Sequence, residues 1–367
     1  MPSLYIHIPF CRKKCFYCSF VVDIGHDHWM DPYLDCLVQE AEHYPDTEIE
    51  TVYLGGGTPS YLNWGQLQKF LTALRKKFKF TSSCEWTLEA NPEGLDLEKA
   101  ELLYALGINR VSLGVQSLND RYLKYLGRCH DARRAVDSFK ILRQAGFRNI
   151  NVDLMYSFPG QTDEQIKKDV VSLASLGSEH LSLYTLTIEE NSRFHARRIK
   201  LEGNEDQARQ YELVVSFFES TEFKQYEISN FALPGKESRH NLNYWQGGDY
   251  IGLGVGAHSH RAGTRFWNVS KTNVYIKKIQ DRQSPVDGEE KLSAHQRLME
   301  LILFGLRMNQ GVPIEEAGQK AGCVLDAVRG QTIDELIGQG FLFKENGYLK
   351  TSLKGRLVLD EISRRLI

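Results

Sequence analysis

Leu4-Tyr5-Ile6-His7-Ile8-Pro9-Phe10-Cys11-Arg12-Lys13-Lys14-Cys15-Phe16-Tyr17-Cys18 runs a short apolar strand pattern straight into three cysteines spaced C-x3-C-x2-C. The strand half of this stretch, Leu4–Ile8, is the first of a series. Apolar runs of strand character recur at Thr51–Leu54, Glu85–Ala90, Arg110–Val115, Asn149–Met155 and Leu181–Leu186. Between them lie stretches with a period near 3.6, at Asp31–Tyr44, Gln66–Phe78, Leu97–Leu106, Ala132–Ala145 and Gln165–Leu176, which predict amphipathic helices. Gly107 and Gly146 stand where a C-cap glycine precedes the next strand. Such alternation implies a parallel sheet covered by helices, either open and doubly wound or curved into a barrel.

The cysteine half of the stretch carries the chemistry. Soft thiolates at this density suit an iron–sulfur cluster or zinc, but three cannot complete a four-cysteine set. Either a distant ligand closes the site, as in a structural zinc knob, or one metal position is open. Cys36, Cys84, Cys129 and Cys323 are scattered singly, bringing the total to seven. An odd, dispersed count argues against a disulfide framework and for a reducing, cytoplasmic setting. These four read as small buried apolar residues.

A chain of 367 residues exceeds one ordinary domain unless it is a barrel with an appendage. The composition, 42% hydrophobic and 25% charged, is that of a soluble globular protein. A net charge of −2 gives no electrostatic reason to expect nucleic acid or an anionic membrane as partner. No apolar run is long enough to span a bilayer, and the first residues lead into the cysteine motif without a signal or transit pattern.

After a helical stretch at Asn204–Ser220 the pattern changes. Residues 224–290 are rich in glycine, aromatic and polar residues, with no clear helix before Asn273–Ile279, and Arg282-Gln283-Ser284-Pro285 reads as a linker. Helices follow at Leu298–Met308, Ile314–Ala321 and Leu325–Ile337, then a hairpin at Gly340–Leu349 turning at Asn346-Gly347, then a helix at Lys354–Arg364. Three helices and a hairpin make a winged-helix-like α+β pattern. From His295 onward ten Lys/Arg face nine Asp/Glu, a balance that disfavours a DNA-binding wing and favours a packing or partner module.

Further signals gather at strand ends. Gly55-Gly56-Gly57-Thr58-Pro59 follows the second strand, and Glu89, Gln116 and Asp153 fall near the ends of the third, fourth and fifth. Three glycines let a backbone approach a ligand closely. The C-terminal rim of a parallel barrel is where sites are built. Gly252-x-Gly254-x-Gly256-Ala257-His258-Ser259-His260 reads as close-packed backbone near a ligand, and His26-Asp27-His28 as a solvated loop.

Together the cysteine loop, the glycine run, Glu89-x-Asn91-Pro92, Arg110-Val111-Ser112-Leu113-Gly114-Val115-Gln116-Ser117 and Asp153-Leu154-Met155-Tyr156 resemble the radical S-adenosylmethionine (SAM) superfamily, specifically its oxygen-independent coproporphyrinogen oxidase-like branch. The resemblance implies a partial (β/α)6 TIM barrel over residues 1–222, with a glycine- and aromatic-rich extension over 223–290 and the winged-helix-like domain over 291–367. It implies a [4Fe–4S] cluster on Cys11, Cys15 and Cys18, with SAM chelating the open iron. Tyr5 and Tyr17 match positions beside the cluster; Gly56, Gly57 and Thr58 match the motif that meets the SAM amino group. Glu89, Gln116, Arg128 and Asp153 match residues that contact SAM in decarboxylating relatives. Taken alone, Arg128 would be a surface arginine.

One departure divides the branch. Its decarboxylating enzymes carry a further cysteine two residues after the third, where this chain has Phe20. That moves the resemblance toward the haem chaperone group, which implies haem or a porphyrin as carried ligand, a haem-acceptor protein and an electron donor. His240-Asn241-Leu242-Asn243-Tyr244-Trp245 supports this: the group associates H-N-x-x-Y-W with haem, although on residues alone it is a satisfied histidine in an aromatic loop. The alternative remains oxidative decarboxylation of coproporphyrinogen III to protoporphyrinogen.

Overall fold

A computed structural model describes residues 1–367, the side chains of residues 326–328 excepted. The six expected strands are present as β1 (Ser3–Ile8), β2 (Glu48–Gly56), β3 (Lys79–Ala90), β4 (Arg110–Gln116), β5 (Ile150–Tyr156) and β6 (His180–Thr185). They lie parallel in sequence order. The intervening helices, Met30–Ala41, Trp64–Lys77, Leu97–Ala105, Ala132–Gln144 and Asp163–Ser175, cover one face. Local chemistry fixes their starts: Asn63, Asp96, Asp131 and Thr162 each accept a first-turn N–H.

Strand residues alternate strictly. Leu4, Ile6, Ile8, Val52, Leu54, Leu88, Val111, Leu113, Val152, Leu154, Leu181 and Leu183 join the helices in the hydrophobic core. The other phase is polar: Tyr5, His7, Thr51, Tyr53, Glu85, Thr87, Glu89, Arg110, Ser112, Asn151, Asp153, His180 and Ser182. Side chains alternate across a strand, so this phase lines the concave interior of a partial barrel. The sheet does not close; its twelve strands run in linear order between two edges.

The region 224–290, for which the sequence pattern assigned no strands, builds both edges. β7 (Lys224–Glu227) and β8 (Asn230–Ala232) add antiparallel beyond β6. At the other end β9 (Tyr250–Leu253) pairs parallel with β1, followed by antiparallel β10 (His258–Arg261), β11 (Thr264–Asn268) and β12 (Val286–Lys291). These strands are short and polar, which hid them from a hydrophobic-run reading. Gly252 lies so close to β10 that a Cβ there would stand 2.0 Å from the His258 carbonyl oxygen, as a close-packed backbone requires. His240-Asn-Leu-Asn-Tyr-Trp is not a loop but most of a short helix, Arg239–Trp245, capped by Ser238.

The C-terminal part follows the winged-helix pattern. Helices Ala294–Gly305, Ile314–Ala321 and Leu325–Gly338 pack with a three-stranded sheet in the order β13 (Val312–Pro313), β15 (Tyr348–Thr351), β14 (Leu342–Glu345), over a core of their own, β13 lying in sequence between the first two helices. Asn346 and Gly347 both have positive φ, 50° and 82°, as the two-residue hairpin turn demands. The expected final helix is broken at Val358 into Leu353–Leu357 and Leu359–Leu366. Among the described residues no helix is long and apolar enough to cross a membrane.

The edge that carries β9 is locked by one buried carboxylate. Glu40, on the first helix, accepts from Gly254 N (2.8 Å), Asn268 Nδ2 (2.6 Å) and Tyr275 Oη (2.6 Å). Burial pushes its pKa up to about 7 against these bonds. A raised pKa means the folded state holds the proton more tightly, so this contribution to stability is complete below about pH 4 and is lost as pH rises through 7. Glu40→Gln is expected to remove about 2–3 kcal/mol of that pH dependence, read by urea unfolding at pH 5 and pH 8. Glu40→Ala, which strands three donors, is expected to cost about 3 kcal/mol or more.

Candidate functional site

The cysteine loop is held at both ends by backbone. Cys11 N donates to Asp23 O and Asp23 N to Pro9 O, pinching off residues 11–23. The glycine turn after β2 lies directly beneath: Gly57 N donates to Ile8 O (2.8 Å) and Thr58 N to Phe10 O (2.9 Å). A Cβ on Gly57 would come within 2.7 Å of the Pro9 carbonyl carbon, so only glycine permits this approach. Gly56, with φ of 105°, leaves room in the same way for the His7 ring. Further along, Phe16 N donates to Leu126 O, and the Phe16 ring rests 3.0 Å from where a Gly127 Cβ would be.

Side chains close this frame into a ring. Cys11 Sγ lies 3.3 Å from Thr58 Oγ1, which accepts from Asn91 Nδ2 at 3.0 Å. Asn91 Oδ1 accepts from Arg128 Nη2 at 2.6 Å, and Arg128 Nη1 donates to Cys15 Sγ at 3.4 Å. Arg128 also donates to Gly114 O. Far from lying at the surface, its Nε is buried and without a partner among the described residues. Gln116, at φ 67° beside a bulge between β4 and β5, turns its amide toward the same spot; a Cβ on Gly114 would be 3.2 Å from Gln116 Nε2 and 3.4 Å from Arg128 Nη2.

Two acids stand deeper in the concave face. Glu89 accepts from Tyr53 Oη (2.8 Å) and Gly56 N (3.0 Å). Asp153 accepts from Ser112 Oγ (3.1 Å) and Asn151 Nδ2 (2.7 Å). Burial first, and then the charge of Asp153, pushes Glu89 up to about 7; burial likewise raises Asp153. Burial also raises Tyr5 and Tyr17 well above the usual phenol range, so both stay neutral donors. Tyr5 Oη meets His7 Nδ1 at 3.0 Å.

This donor set suits a thiolate-bound iron–sulfur cluster. All three cysteines are free and half-buried. Burial pushes the Cys11 thiol up to about 12 and raises Cys18, so ligation there must expel protons. Among the described residues no three His, Cys, Asp or Glu side chains converge as a single ion requires; a four-iron cluster takes one thiolate per iron and needs no such convergence. The cationic Arg128, its Nε without a partner among the described residues, adjoins the Cys15 thiol as a negative cluster and a carboxylate ligand demand.

His240 sits apart from the cysteine ring. It is 1% exposed, with Nδ1 at 2.8 Å from Thr51 Oγ1 and Nε2 at 3.0 Å from Tyr244 Oη. Burial and the Arg110 charge push its pKa down to about 3. It backs a cavity of about 450 Å³ lined also by Tyr5, His7, Phe20, Tyr53, Tyr250 and His258. Phe20, 65% exposed, stands at the lip. Asn91 is the residue that sequence reasoning left without a role; its place before Pro92 at a strand end was the available signal. Of the four scattered cysteines, Cys36 and Cys84 are buried but Cys129 is exposed. His26 stacks on Trp29 at 4.2 Å.

Residues 5–173 match the radical SAM superfamily, and residues 292–358 the HemN C-terminal domain. A protein of Lactococcus lactis subsp. lactis named heme chaperone HemW is 36% identical over 374 residues, which cover 98% of each chain. Its namesake from Bacillus subtilis is 35% identical over 373 residues, covering 99% of this chain and 98% of that one. Coproporphyrinogen III oxidase (HemN) from Escherichia coli, a solved structure, shares the fold at a TM-score of 0.87 and 24% identity, over 100% of this chain and 90% of that one. The chain belongs to the radical SAM superfamily and, within its coproporphyrinogen oxidase-like branch, to the HemW family.

Proposed function

We propose that this protein is a radical-SAM-type haem chaperone, which holds a [4Fe–4S] cluster, SAM and haem and delivers the haem to an acceptor protein. The observation that carries the reading is the aromatic cavity beside the cysteine loop, with Phe20 at its lip where decarboxylating relatives have a thiol. Full-length kinship with proteins named heme chaperone supports it. On this reading residues 1–222 hold the cofactors, 223–290 wall the cavity and 291–367 form a partner or packing module, in a cytoplasmic protein.

Cys11, Cys15 and Cys18 would hold the cluster, whose fourth iron, when bound, supplies an open position for the SAM amino and carboxylate groups. The chain's own contribution is positional. Gly56 and Gly57 bring β2 close beneath the loop without a side chain in the way. Glu89 aligns its carboxylate at the Gly56 amide, where an ammonium can share it. Arg128 offers Nε to an anionic ligand, with the Gln116 amide beside it, and Asp153 stands on the same polar face between Ser112 and Asn151. Tyr5 and Tyr17 remain protonated and flank the loop.

Anaerobically reconstituted protein is expected to bind about four iron per chain and to show the brown charge-transfer absorbance of a cluster. Cys11→Ala, Cys15→Ala or Cys18→Ala should each abolish it, read by iron analysis and absorbance. A zinc-filled, iron-free protein would defeat the cluster assignment. Because Glu89 titrates near 7, its carboxylate is lost on going acid, and SAM affinity should fall about tenfold from pH 8 to pH 6. Glu89→Gln should bind SAM weakly and without that pH dependence, measured by equilibrium dialysis.

Ferric haem added to the full chain should give a saturable, one-to-one Soret change. With SAM, reductant and coproporphyrinogen III under anaerobic conditions, no protoporphyrinogen should form. Steady turnover to that product would favour the decarboxylase reading instead.

A further inference from the structure

Three histidines line the cavity, and only one has a ring nitrogen to give. His7 uses Nδ1 toward Tyr5 Oη and Nε2 toward Val21 O (2.9 Å). His240 uses both nitrogens, toward Thr51 and Tyr244, and is sealed from solvent. His258, the first residue of β10, is exposed, and neither of its nitrogens has a hydrogen-bond partner among the described residues.

His258 is also held in orientation. It lies directly across from Trp267 in the antiparallel β10–β11 pair, and Trp267 lies directly across from Gly288 on β12. The His258 and Trp267 rings stack at 5.8 Å with an interplanar angle of 26°. On the far side a Cβ at Gly288 would stand 2.4 Å from Trp267 Cζ2, so the indole lies flat on bare backbone. Glycine, tryptophan and histidine thus form a three-strand platform whose last member faces the cavity. Burial and the nearby Arg265 lower the His258 pKa, which keeps the imidazole neutral, the form that binds metal.

We propose that His258, presented on the Trp267 platform, is the side chain that ligates the iron of haem in this cavity, and that His240 is a positioning residue. This inference rests on the haem-chaperone reading. His240 holds Tyr244 and Thr51 in place behind the cavity, and ligation by it would cost one of two buried hydrogen bonds. His258 forfeits none. The other aromatic side chains of the lining, Tyr250 and Phe20 among them, offer faces for a porphyrin plane.

The test is a ferric haem titration of the full chain, read by Soret position and by electron paramagnetic resonance. Wild-type protein is expected to show a nitrogen-ligated spectrum. His258→Ala should lose that signature, weaken binding by about tenfold or more, and regain the spectrum on adding imidazole. Its far-UV circular dichroism and melting temperature should match wild type, because His258 is exposed. Trp267→Leu should keep ligation but broaden the spectrum as the ring loses its fixed orientation. A His258→Ala protein with the wild-type spectrum overturns the proposal, as does loss of the signature in His240→Phe with intact melting. If wild-type protein gives no saturable Soret change, the haem reading itself falls, and this assignment with it.

Discussion

A guanidinium in a confined space must be surrounded by acceptors, and at the strand ends Arg128 organises everything around that need. Its contacts reach the cysteine loop through Cys15, β3 through Asn91 and β4 through Gly114 O. Asn91 passes the connection to Thr58, and Thr58 to Cys11. The loop is therefore tied to three neighbouring strands by a closed circuit of hydrogen bonds that begins and ends on thiols. Removal of a buried charge's partner leaves it uncompensated and is costly, so the members hold one another in place. Its Nε is buried and has no partner among the described residues.

The alternation of core and polar residues along each parallel strand is what makes such an interior possible. Parallel strands in a doubly covered sheet bury both faces and read as continuous apolar runs. Here only the helix-facing phase is apolar, and the other phase carries Glu89, Asp153, Arg110, His180 and their hydroxyl partners. Arg110, almost wholly buried, helps hold His180 and His240 neutral, after burial itself. Polar groups at this density are tolerated because nearly each one meets another: His180 bonds Asn151 and Tyr226, and Asn151 bonds Asp153 and Ser112.

The parallel strands β1 to β6 were legible because their outward residues are Leu, Ile and Val at strict spacing between capped helices. The cysteines, the glycine turn and Glu89 were legible because chemistry and spacing coincide. Three things were not. Strands β7 to β12 are short, and an exposed or lumen-facing phase dilutes their hydrophobic signal. The helix over Arg239–Trp245 spans only seven residues, too few to display a period. Arg128 looked superficial because no local pattern announces burial; its acceptors come from residues 14, 37 and 113 positions away. Contacts of that reach are set by topology, which residue spacing does not encode.

The pairing of β1 with β9 joins residues 3–6 to residues 250–253. A ribosome adding ~5–20 residues per second takes on the order of ten seconds or more to cross that interval. For most of it β1 has β2 on one side and nothing on the other, while Gly254 has yet to reach Glu40 and β10 does not exist. The thiol loop is therefore complete in sequence long before the wall beside it is built. The loop and the wall beside it thus come from distant parts of the chain, and synthesis delivers them in that order.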